Sequence, residues 1–417
     1  MFMSLSDGLV LLMGLFRILE GLLLLSLAYH YLFILASAFR AVAAPQGSQR
    51  KRSFALLIPA HNEQAVIAQT VRCARQLEYP ADQYDVHVIA DHCEDQTARL
   101  AEAAGAMVQV RSEGRRGRKG YALAWGLNRL LAREPAYDAF VILDADSLVD
   151  REFLNVMNAE LDLSQGVLQG QRLVNNAQDS TLAAIAAVDQ RLNNFLRNQA
   201  RRALGWSCRL MGDAMCFARE VLLAYPWDSD SLVEDREYGA KLLLNGIRTR
   251  YVSGALVRQQ AAVNWRSGQQ QRLRWYRGAV EVQRRLAWQL IRRGLLQHNL
   301  AQLEGGLELV MPAYSTLTAL TALVALVETL HATSLLAVII GAALLAWVAY
   351  PILGLWLDRA PLSMYKALLL YGPIYMAWRV WLAVLTRLLG RRIQWVRTQR
   401  REETTDQVGA SRRADET

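Results

Sequence analysis

The sequence predicts an α/β fold in which a doubly wound, mostly parallel sheet is inserted between transmembrane helices at the two ends of the chain. Three observations support this prediction. Long apolar runs occupy both ends of the 417 residues. The middle alternates short apolar runs with helical stretches, which is typical of a parallel sheet. Several of the short runs end on polar or acidic residues, as the ligand-binding strands of open sheets do.

The first apolar segment is predicted to be a membrane anchor over residues 1–42. Arg17 and Glu20 interrupt it at a helical i, i+3 spacing, so their side chains can pair. Residues 22–38 are nearly uncharged and can cross a bilayer with help from their flanks. The segment is long and lacks a good small-residue cleavage site, which favours an uncleaved anchor over a signal peptide.

Strands and helices alternate through residues 43–300, which we predict to be one cytoplasmic domain. Periodicity assigns strands to short apolar runs and helices to stretches with apolar residues every three to four positions. The predicted strands are 54–59, 84–90, 106–110, 140–143, 166–174 and 249–252. The predicted helices are 63–77, 96–104, 119–133, 150–161, 181–204 and 234–244. Asp179 or Ser180 can cap the helix at 181–204.

The strand at 140–143 is followed at once by Asp144 and Asp146. Side chains two residues apart lie on the same side of an extended backbone. Two carboxylates at the carboxyl end of a buried strand are hard oxygen donors that suit Mg²⁺ or Mn²⁺ carrying a diphosphate. Taken alone, the pair is equally consistent with solvated acids at a strand end.

Two further stretches carry polar groups at strand ends or helix starts. Asp91 follows the second strand, where a carboxylate can accept a hydrogen bond from a base or ribose, or can cap the next helix. The cationic turn at 115–120 opens a helix, and its backbone N–H groups together with Lys119 suit a diphosphate. A solvated run of charges has the same composition. The turn is not a P-loop, because the leading glycine and the following Ser or Thr are absent.

The C-terminal part contains a basic amphipathic stretch and three apolar runs. A helix over 279–296 can lie on a membrane surface or on the surface of the soluble domain, and the sequence leaves both open. The runs at 307–330 and 334–357 are predicted to be spanning helices. The run at 362–389 is a weaker candidate, because Lys366, Arg379 and a Gly-Pro pair interrupt it.

The three apolar runs lie within residues 301–390, which are predicted to be the C-terminal transmembrane part, but the sequence does not decide whether all three cross the membrane. Three spans after a cytoplasmic domain place the C-terminus outside, whereas the arginines after the last run favour the inside. One run is therefore interfacial or re-entrant, and the sequence does not identify it. The tail at 391–417 is charged and is predicted to be disordered.

The formal net charge of +9 favours a lipid bilayer rather than nucleic acid as the partner. The cations concentrate beside the apolar runs, at Arg40, Arg50, Lys51 and Arg52 and then at Arg387, Arg391, Arg392, Arg397, Arg400 and Arg401. This arrangement predicts an integral protein of the plasma (inner) membrane with its domain in the cytoplasm. We expect no nucleic acid partner, since no motif supports one. Four cysteines without C-x-x-C spacing argue against a zinc site or a disulfide framework, and favour reduced thiols.

Several motifs occur in a characteristic order. They are I-P-A-H-N-E at 58–63, V-I-A-D-H-C-E-D-Q-T at 88–97, G-R-K-G-Y-A-L-A-W-G-L at 117–127, L-D-A-D-S at 143–147, V-E-D at 233–235 and Q-R-L-R-W at 271–275. Over roughly residues 54–278 the chain resembles the membrane-bound family 2 glycosyltransferases. That family has a GT-A fold and includes the cellulose, hyaluronan, chitin-oligosaccharide and poly-N-acetylglucosamine synthases.

The resemblance implies a role for each matching position. The nucleotide would be held by Glu63, Asp91, Lys119 and Asp144. A divalent cation, Mg²⁺ or Mn²⁺, and the diphosphate would be bound by Asp144 and Asp146. Glu234 and Asp235 would be the catalytic pair, with Asp235 as the general base that deprotonates the acceptor hydroxyl. The diphosphate and acceptor would be lined by Gln271, Arg274 and Trp275. The later motifs also have a purely structural interpretation. Glu234 and Asp235 would then be ordinary acids in the first turn of a helix, and the arginines at 272–277 would be cations beside a membrane.

The chain departs from the family pattern at three points. Val233 stands where relatives carry Thr or Ser. Asp213 lies at a place where relatives vary with the acceptor, and the sequence assigns it no role. Only about three spans follow the domain, which argues against a self-contained channel for polymer secretion.

The resemblance implies inverting, metal-dependent transfer from a nucleotide sugar, expected to be a UDP-sugar, to a growing poly- or oligosaccharide at the cytoplasmic membrane face. The alternative is a single transfer to a polyprenyl phosphate or another lipid acceptor, although such enzymes generally lack Q-x-x-R-W. A non-catalytic membrane partner is less consistent with the sequence, because Asp144, Asp146 and Asp235 are all present. Whether an export partner exists is left open.

Overall fold

The computed structural model describes residues 5–38, 50–228, 231–329 and 335–389. Arg40 and the tail at 391–417, for which the sequence predicts topology and disorder, lie outside these ranges. The strands are β1 (Phe54–Ala60), β2 (Tyr84–Asp91), β3 (Met107–Arg111), β4 (Ala139–Ile142), β5 (Leu148–Val149), β6 (Val167–Val174), β7 (Met215–Ala218) and β8 (Arg250–Gln259).

Helices flank and follow these strands. They are α1 (Leu5–Ala38), α2 (Ile67–Ala74), α3 (Thr97–Ala103), α4 (Lys119–Leu131), α5 (Phe153–Leu161), α6 (Thr181–Leu192), α7 (Ala200–Ala203), α8 (Arg219–Ala224), α9 (Glu234–Leu244), α10 (Trp265–Leu296), α11 (Leu300–Val310), α12 (Tyr314–Thr329), α13 (Leu335–Leu357) and α14 (Leu362–Leu389). A π-helical segment, Asn193–Gln199, joins α6 to α7.

The strands form one mixed sheet in the order β3-β2-β1-β4-β7-β6-β8-β5. The first four strands are parallel, as are β6 and β8. β7 runs antiparallel to both β4 and β6, and β5 runs antiparallel to β8. The predicted α/β class is confirmed. The sequence did not predict β5 and β7, because runs of two and four residues are too short to show a period.

The sheet is doubly wound because alternate residues of its buried strands pack on opposite helical layers. Phe54, Leu56 and Ile58 of β1 face the layer that contains α2, α3 and α5. Ala55 and Leu57 face the layer that contains α4 and α9. Burial on both faces explains the continuous apolar run that marked this strand in the sequence.

Most predicted boundaries hold to within a few residues, but one helix is interrupted and one strand is longer than predicted. Ser180 caps α6 as expected, since its side chain accepts a hydrogen bond from the Ala183 N–H at 3.0 Å. The predicted helix at 181–204 is interrupted by the π-helical segment. β8 continues to Gln259, well beyond the predicted end at 252, and pairs with β6 across a register shift between Gly170 and Gln171.

The amphipathic stretch predicted at 279–296 is the second half of α10, which is 32 residues long. Its apolar side chains, among them Val282, Leu286 and Leu290, pack against α9 and α11. Two glycines bring α10 and α11 into backbone contact. A Cβ atom at Gly294 would lie 2.4 Å from the Leu303 nitrogen, and one at Gly306 would lie 2.8 Å from the Ile291 nitrogen.

Three described helices are long and apolar enough to cross a membrane: Val10–Ala38, Leu335–Leu357 and Leu362–Leu388. The run at 307–330, predicted to be a spanning helix, is not one continuous helix, and with α11 it forms a broken span or a re-entrant loop. α11 and α12 are separate helices bent by 67°. Pro312 explains the break, since proline lacks an N–H and disfavours helical geometry in the residue before it.

Contacts between the apolar helices fix their relative directions. Arg17 pairs with Glu20, as predicted, and with Glu328 at the end of α12. At the other end of α12, the Tyr314 hydroxyl donates to the Trp347 carbonyl of α13 at 2.6 Å. The Trp347 ring also lies 4.9 Å from the ring of His30 in α1. α12 is therefore antiparallel to α1, and α13 is parallel to it.

α14 packs mainly against helices of the α/β part of the chain. Ala367 and Tyr375 share an apolar cluster with Leu182, Ile185 and Val188 of α6. Arg379 donates to Asp189 of α6 at 3.0 Å and to the Tyr276 hydroxyl of α10 at 3.2 Å. Polar contacts of this kind tie α14 to the domain.

Candidate active site

The carboxyl end of β4 carries a tight acidic turn with a lysine against it. Asp144 follows the strand, and the Ser147 N–H donates to the Asp144 carbonyl at 3.1 Å. Lys119, the first residue of α4, donates from its Nζ to Asp144 Oδ1 at 2.5 Å. The same ammonium donates to the carbonyl of Gly212. The ammonium group of Lys119 therefore balances the charge of Asp144.

Asp213 holds this turn in place, a role that the sequence did not reveal. Its side chain is fully buried. One oxygen accepts from the Asp144 N–H at 3.0 Å, and the other accepts from the Ser147 hydroxyl at 2.8 Å. Gln169 supports Asp213 in turn by donating to its carbonyl at 2.8 Å. Asp213 therefore fixes the direction of the backbone that carries Asp144 and Asp146.

The loop containing Gly212 brings the second acidic motif to the first. A Cβ atom at Gly212 would lie 3.2 Å from Asp235 Oδ2, so the carboxylate rests directly on this glycine. The Gly212 carbonyl is also the one that Lys119 contacts. Gly212 has a φ of +82°, a backbone conformation that glycine adopts readily. Asp235 and Asp144 are thus connected through one lysine and one glycine.

These groups also interact electrostatically. Burial, and then repulsion from Asp235, raises the pKa of Glu234 to about 7. Burial also raises the pKa of Asp235. Burial opposes the charge of Lys119, but attraction to Asp144 and then to Glu234 outweighs it and raises the lysine pKa. Perturbed acids that share one buried cation are typical of functional sites.

The predicted nucleotide residues at the ends of β1 and β2 lie one and two strands away from β4. Asp91 is buried, accepts from Arg111, and has the ring of His92 at 2.8 Å from the same oxygen. The backbone N–H of Glu63 donates to the Thr97 hydroxyl at 2.8 Å. Because β2, β1 and β4 are adjacent, Asp91 lies about 10 Å from the acidic turn, two strand spacings across the sheet.

The Q-R-L-R-W residues lie on α10, which packs on the start of α9. Gly278 permits the contact, because a Cβ atom there would lie 2.9 Å from both methyl groups of Val233. Arg274 is close enough to Glu234 to lower its pKa, and its Nε is buried without a hydrogen-bond partner among the described residues. Gln271 lies one turn earlier on the same side of the helix. Trp275 is 39% exposed, and the Arg272 guanidinium lies 5.7 Å from its ring.

The donor set fits a divalent cation that also binds a ligand. Among the described residues, no group of three or more His, Cys, Asp or Glu side chains is arranged to hold a metal. Asp144 and Asp146 supply two hard oxygens, so a six-coordinate Mg²⁺ or Mn²⁺ would take its other ligands from a diphosphate and water. This is the pattern expected of a metal that arrives with a nucleotide.

Carboxylates and a lysine at the carboxyl edge of an α/β sheet are an arrangement typical of enzymes that bind a nucleotide diphosphate. The chain belongs to a family described as glycosyltransferase like family 2, whose family model matches residues 51–278. This confirms the predicted GT-A resemblance. Residues 51–278 therefore form a glycosyltransferase domain of this family.

Curated relatives share about a quarter of the aligned residues. A probable glycosyltransferase of Bacillus subtilis, YdaM, is 25% identical over 279 residues, which cover 63% of this chain and 66% of that protein. The poly-beta-1,6-N-acetyl-D-glucosamine synthase of Staphylococcus aureus is 26% identical over 236 residues, 54% of each chain. The beta-monoglucosyldiacylglycerol synthase of Trichormus variabilis is 25% identical over 229 residues, 54% of this chain and 48% of that protein. The chain spans about half to two thirds of the length of these relatives.

Solved structures are also similar to the chain. The mannosyltransferase PcManGT from Pyrobaculum calidifontis, in complex with GDP-Man and Mn²⁺, has a TM-score of 0.48 and 18% identity, covering 81% of this chain and 99% of that one. Residues 1–349 of S. aureus TarS have a TM-score of 0.43 and 16% identity, covering 85% of this chain and all of that one. At these identities, no residue role is carried over from either structure.

Proposed function

We propose that the protein transfers a sugar, with inversion, from a UDP-sugar to a growing poly- or oligosaccharide at the cytoplasmic face of the plasma membrane. The observation that carries this proposal is the position of Asp235 on Gly212, whose carbonyl accepts from the same lysine that binds Asp144. A candidate base and a candidate diphosphate site thereby share one buried pocket.

The donor end of this pocket is assigned to the residues after β1, β2 and β4. Glu63 and Asp91 hold the nucleoside, and Lys119 holds the diphosphate. Asp144 and Asp146 would hold Mg²⁺ or Mn²⁺, which when bound neutralises charge on the departing diphosphate. Arg274 adds a guanidinium whose buried Nε is available for a phosphate oxygen.

The acceptor end is assigned to Asp235, Glu234 and the exposed ring of Trp275. Inversion requires a base on the face of the sugar opposite the leaving group, and Asp235 takes the proton from the acceptor hydroxyl. Glu234 lies beside Asp235, and burial followed by repulsion from Asp235 raises its pKa to about 7. Gln271 and Trp275 lie along α10, where they can contact the sugar being extended.

A lipid acceptor is the second candidate. It is favoured by three relatives that are named beta-monoglucosyldiacylglycerol synthases. Other relatives are named for polysaccharides. A lipid acceptor also suits the few spanning helices of the described chain. Product size separates the two candidates, because polymerisation gives a ladder of sugars and single transfer gives one glycolipid.

The test is release of UDP or GDP from a panel of nucleotide sugars by the purified protein with Mn²⁺, followed by mass analysis of the product. Asp235→Asn should reduce kcat by about 10²–10⁴-fold, because the general base is lost. Asp228→Asn is a matched control, since Asp228 is 65% exposed and pairs with Lys241 on the surface. Undiminished turnover in Asp235→Asn would remove the base assignment.

A further inference from the structure

Three arginines meet beside Asp235 with too little negative charge around them. We propose that Arg197, Arg209 and Arg236, termed here the arginine cluster, bind a phosphate group carried by the sugar acceptor. The inference rests on the proposed function, because it names the chemistry of the acceptor at that same pocket.

The cluster is drawn from three separate parts of the chain. Arg197 comes from the π-helical segment and Arg236 from the first turn of α9. Arg209 lies in the loop before Gly212. Arg209 and Arg236 both contact the same oxygen of Glu308, Arg236 at 3.5 Å. Arg197 is close enough to affect the pKa of both other arginines. The fold therefore brings like charges together, which requires a compensating anion.

Two acids, Glu308 and Asp235, act on the cluster, so its three positive charges are not fully balanced. Glu308 offers one carboxylate to two guanidiniums, and Arg197 makes no ion pair with any residue that the structure describes. The Nε of Arg236 is buried without a hydrogen-bond partner among those residues. Glu304, the next acid of α11, is already paired with Arg201 at 2.7 Å. A buried donor without a partner is costly, so a ligand oxygen is the natural acceptor.

Burial and mutual repulsion lower the pKa values of two of these arginines. Burial, followed by repulsion from Arg236 and Arg197, lowers the pKa of Arg209 well below its ordinary value. The pKa of Arg236 falls to about 10, through burial and then repulsion from Arg197. Both arginines nevertheless stay partly open, with 31% and 17% of their side chains exposed. The guanidinium groups are therefore partly accessible to a ligand.

The position of the cluster points to the acceptor rather than the donor. Arg236 is the residue after the candidate base, and Asp235 acts electrostatically on Arg209 and Arg236. The donor diphosphate is assigned to Lys119 and Asp144. Lys119 contacts the Gly212 carbonyl, whereas Asp235 lies against the Cα atom of the same glycine. Guanidinium groups recognise phosphate through paired hydrogen bonds, and a neutral saccharide would not need three of them.

The cluster also lies where the apolar helices meet the domain. The segment that carries Arg197 packs through Phe195 and Leu196 against Ile34 of α1 and Tyr350 of α13. Glu308 is near the end of α11, just before the break that leads to α12. A phosphate at this depth can belong to a lipid, with its chains toward α1 and α13, or to a phosphorylated saccharide that enters from the cytoplasm.

The decisive variant is Arg197→Gln in the full-length protein in neutral detergent. Arg197 has no ion pair to lose, so this variant should fold, whereas Arg209→Gln would leave Glu308 with one partner fewer. Binding of dodecyl phosphate and of inorganic phosphate is measured by thermal shift at matched ionic strength. We expect Arg197→Gln to weaken dodecyl phosphate binding about tenfold or more. Arg292→Gln, which removes an exposed arginine of α10, is the charge-matched control and should bind as the wild type does.

Two further measurements separate the possible outcomes. UDP binding with Mn²⁺ should be unchanged in Arg197→Gln, and a parallel loss of UDP affinity would assign the cluster to the donor and overturn the proposal. Equal loss in Arg292→Gln, or no loss in Arg197→Gln, would show a nonspecific anion effect and would also overturn it. Tighter binding of dodecyl phosphate than of inorganic phosphate identifies a lipid source, and equal binding identifies a soluble one. None of these binding measurements requires turnover. A protein without transferase activity would refute the proposed function, but the phosphate-binding result could still be interpreted.

Discussion

Asp213 shows how one buried carboxylate can set the geometry of a site without belonging to its motifs. It accepts hydrogen bonds from the Asp144 N–H and the Ser147 hydroxyl, and it lies 3.9 Å from Arg172. Burial, and then repulsion from Asp144, raises its pKa. The residue works through the turn that it holds, so we assign it a positioning role.

We predict that Asp213→Asn raises the Mn²⁺ concentration needed for half-maximal activity about tenfold, because an amide has one acceptor oxygen where the turn needs two. Thermal stability should be retained, since the neutral amide removes a buried charge that burial already disfavours. Titration of activity with Mn²⁺, together with a melting curve, tests both parts. Asp82→Asn on the surface is the control. An unchanged Mn²⁺ requirement would show that the turn keeps its shape without Asp213.

The acidic pair gives a second prediction, for pH. Glu234 has its pKa raised to about 7, and the pKa of Asp235 is raised as well. A raised acid pKa keeps the proton on the carboxyl to higher pH, so the base is lost as pH falls. We therefore expect kcat/KM, which reports the free enzyme, to decline as the pH falls through the raised pKa values of the pair. A profile that stays flat down to pH 5 would contradict this assignment of the pair.

How far the sequence predicts the site depends on what each residue does. Asp144, Asp146 and Lys119 stand at strand and helix ends, where position along the chain already indicates the edge of the sheet. The placement of Asp235 beside Lys119 needed the fold, because residues 116 apart in sequence meet only through Gly212. Asp213 carried no local signal at all, since its partners are a backbone N–H and a serine hydroxyl in a distant loop.

At the scale of elements, α10 connects the candidate acceptor residues to the rest of the molecule. The sequence predicts only its second half, because the stretch around Q-R-L-R-W is polar on most sides and shows no apolar period. Asn264 begins the helix by accepting from the Ser267 N–H at 2.9 Å. Tertiary contacts then hold it, with Arg272 contacting the Tyr375 hydroxyl and lying 3.6 Å from Asp189.

The contact between α10 and the start of α9 can be tested with Gly278→Ala. The new methyl group would lie 2.9 Å from Val233 side-chain carbons and 3.1 Å from its backbone nitrogen, so one helix must shift. We expect kcat to fall about tenfold to hundredfold, as displacements near 1 Å do, because Arg274 and Asp235 would separate. Gly254→Ala is the control, since its nearest neighbour lies at an ordinary 3.4 Å. Equal activity of both variants would exclude a tight helix contact as a requirement.

At the scale of the whole molecule, contacts between helices give a reading of the topology that the sequence left open. α12 runs antiparallel to α1, and α13 runs parallel to it, so these three helices form a bundle with alternating direction. α14 has the composition of a span but packs on α6 and α10. We infer that α1, α12 and α13 cross the bilayer and that α14 lies at the cytoplasmic interface.

This reading predicts a cytoplasmic C-terminus, in agreement with the arginines of the tail. Green fluorescent protein fused after the last residue should fluoresce, and alkaline phosphatase fused there should be inactive. The same fusions after Leu326 in α12 should show the opposite result, as the internal control. Active phosphatase at the C-terminus would mean that α14 crosses the bilayer.

The glycine contacts between α10 and α11 leave these two helices no freedom to slide. Gly294 and Gly306 set backbone against backbone, so Arg274 on one helix and Glu308 on the other keep a constant separation. We expect this rigid pair of helices to keep a fixed distance between the bilayer and Asp235. We therefore expect acceptors to be selected by how far their hydroxyl projects from the bilayer.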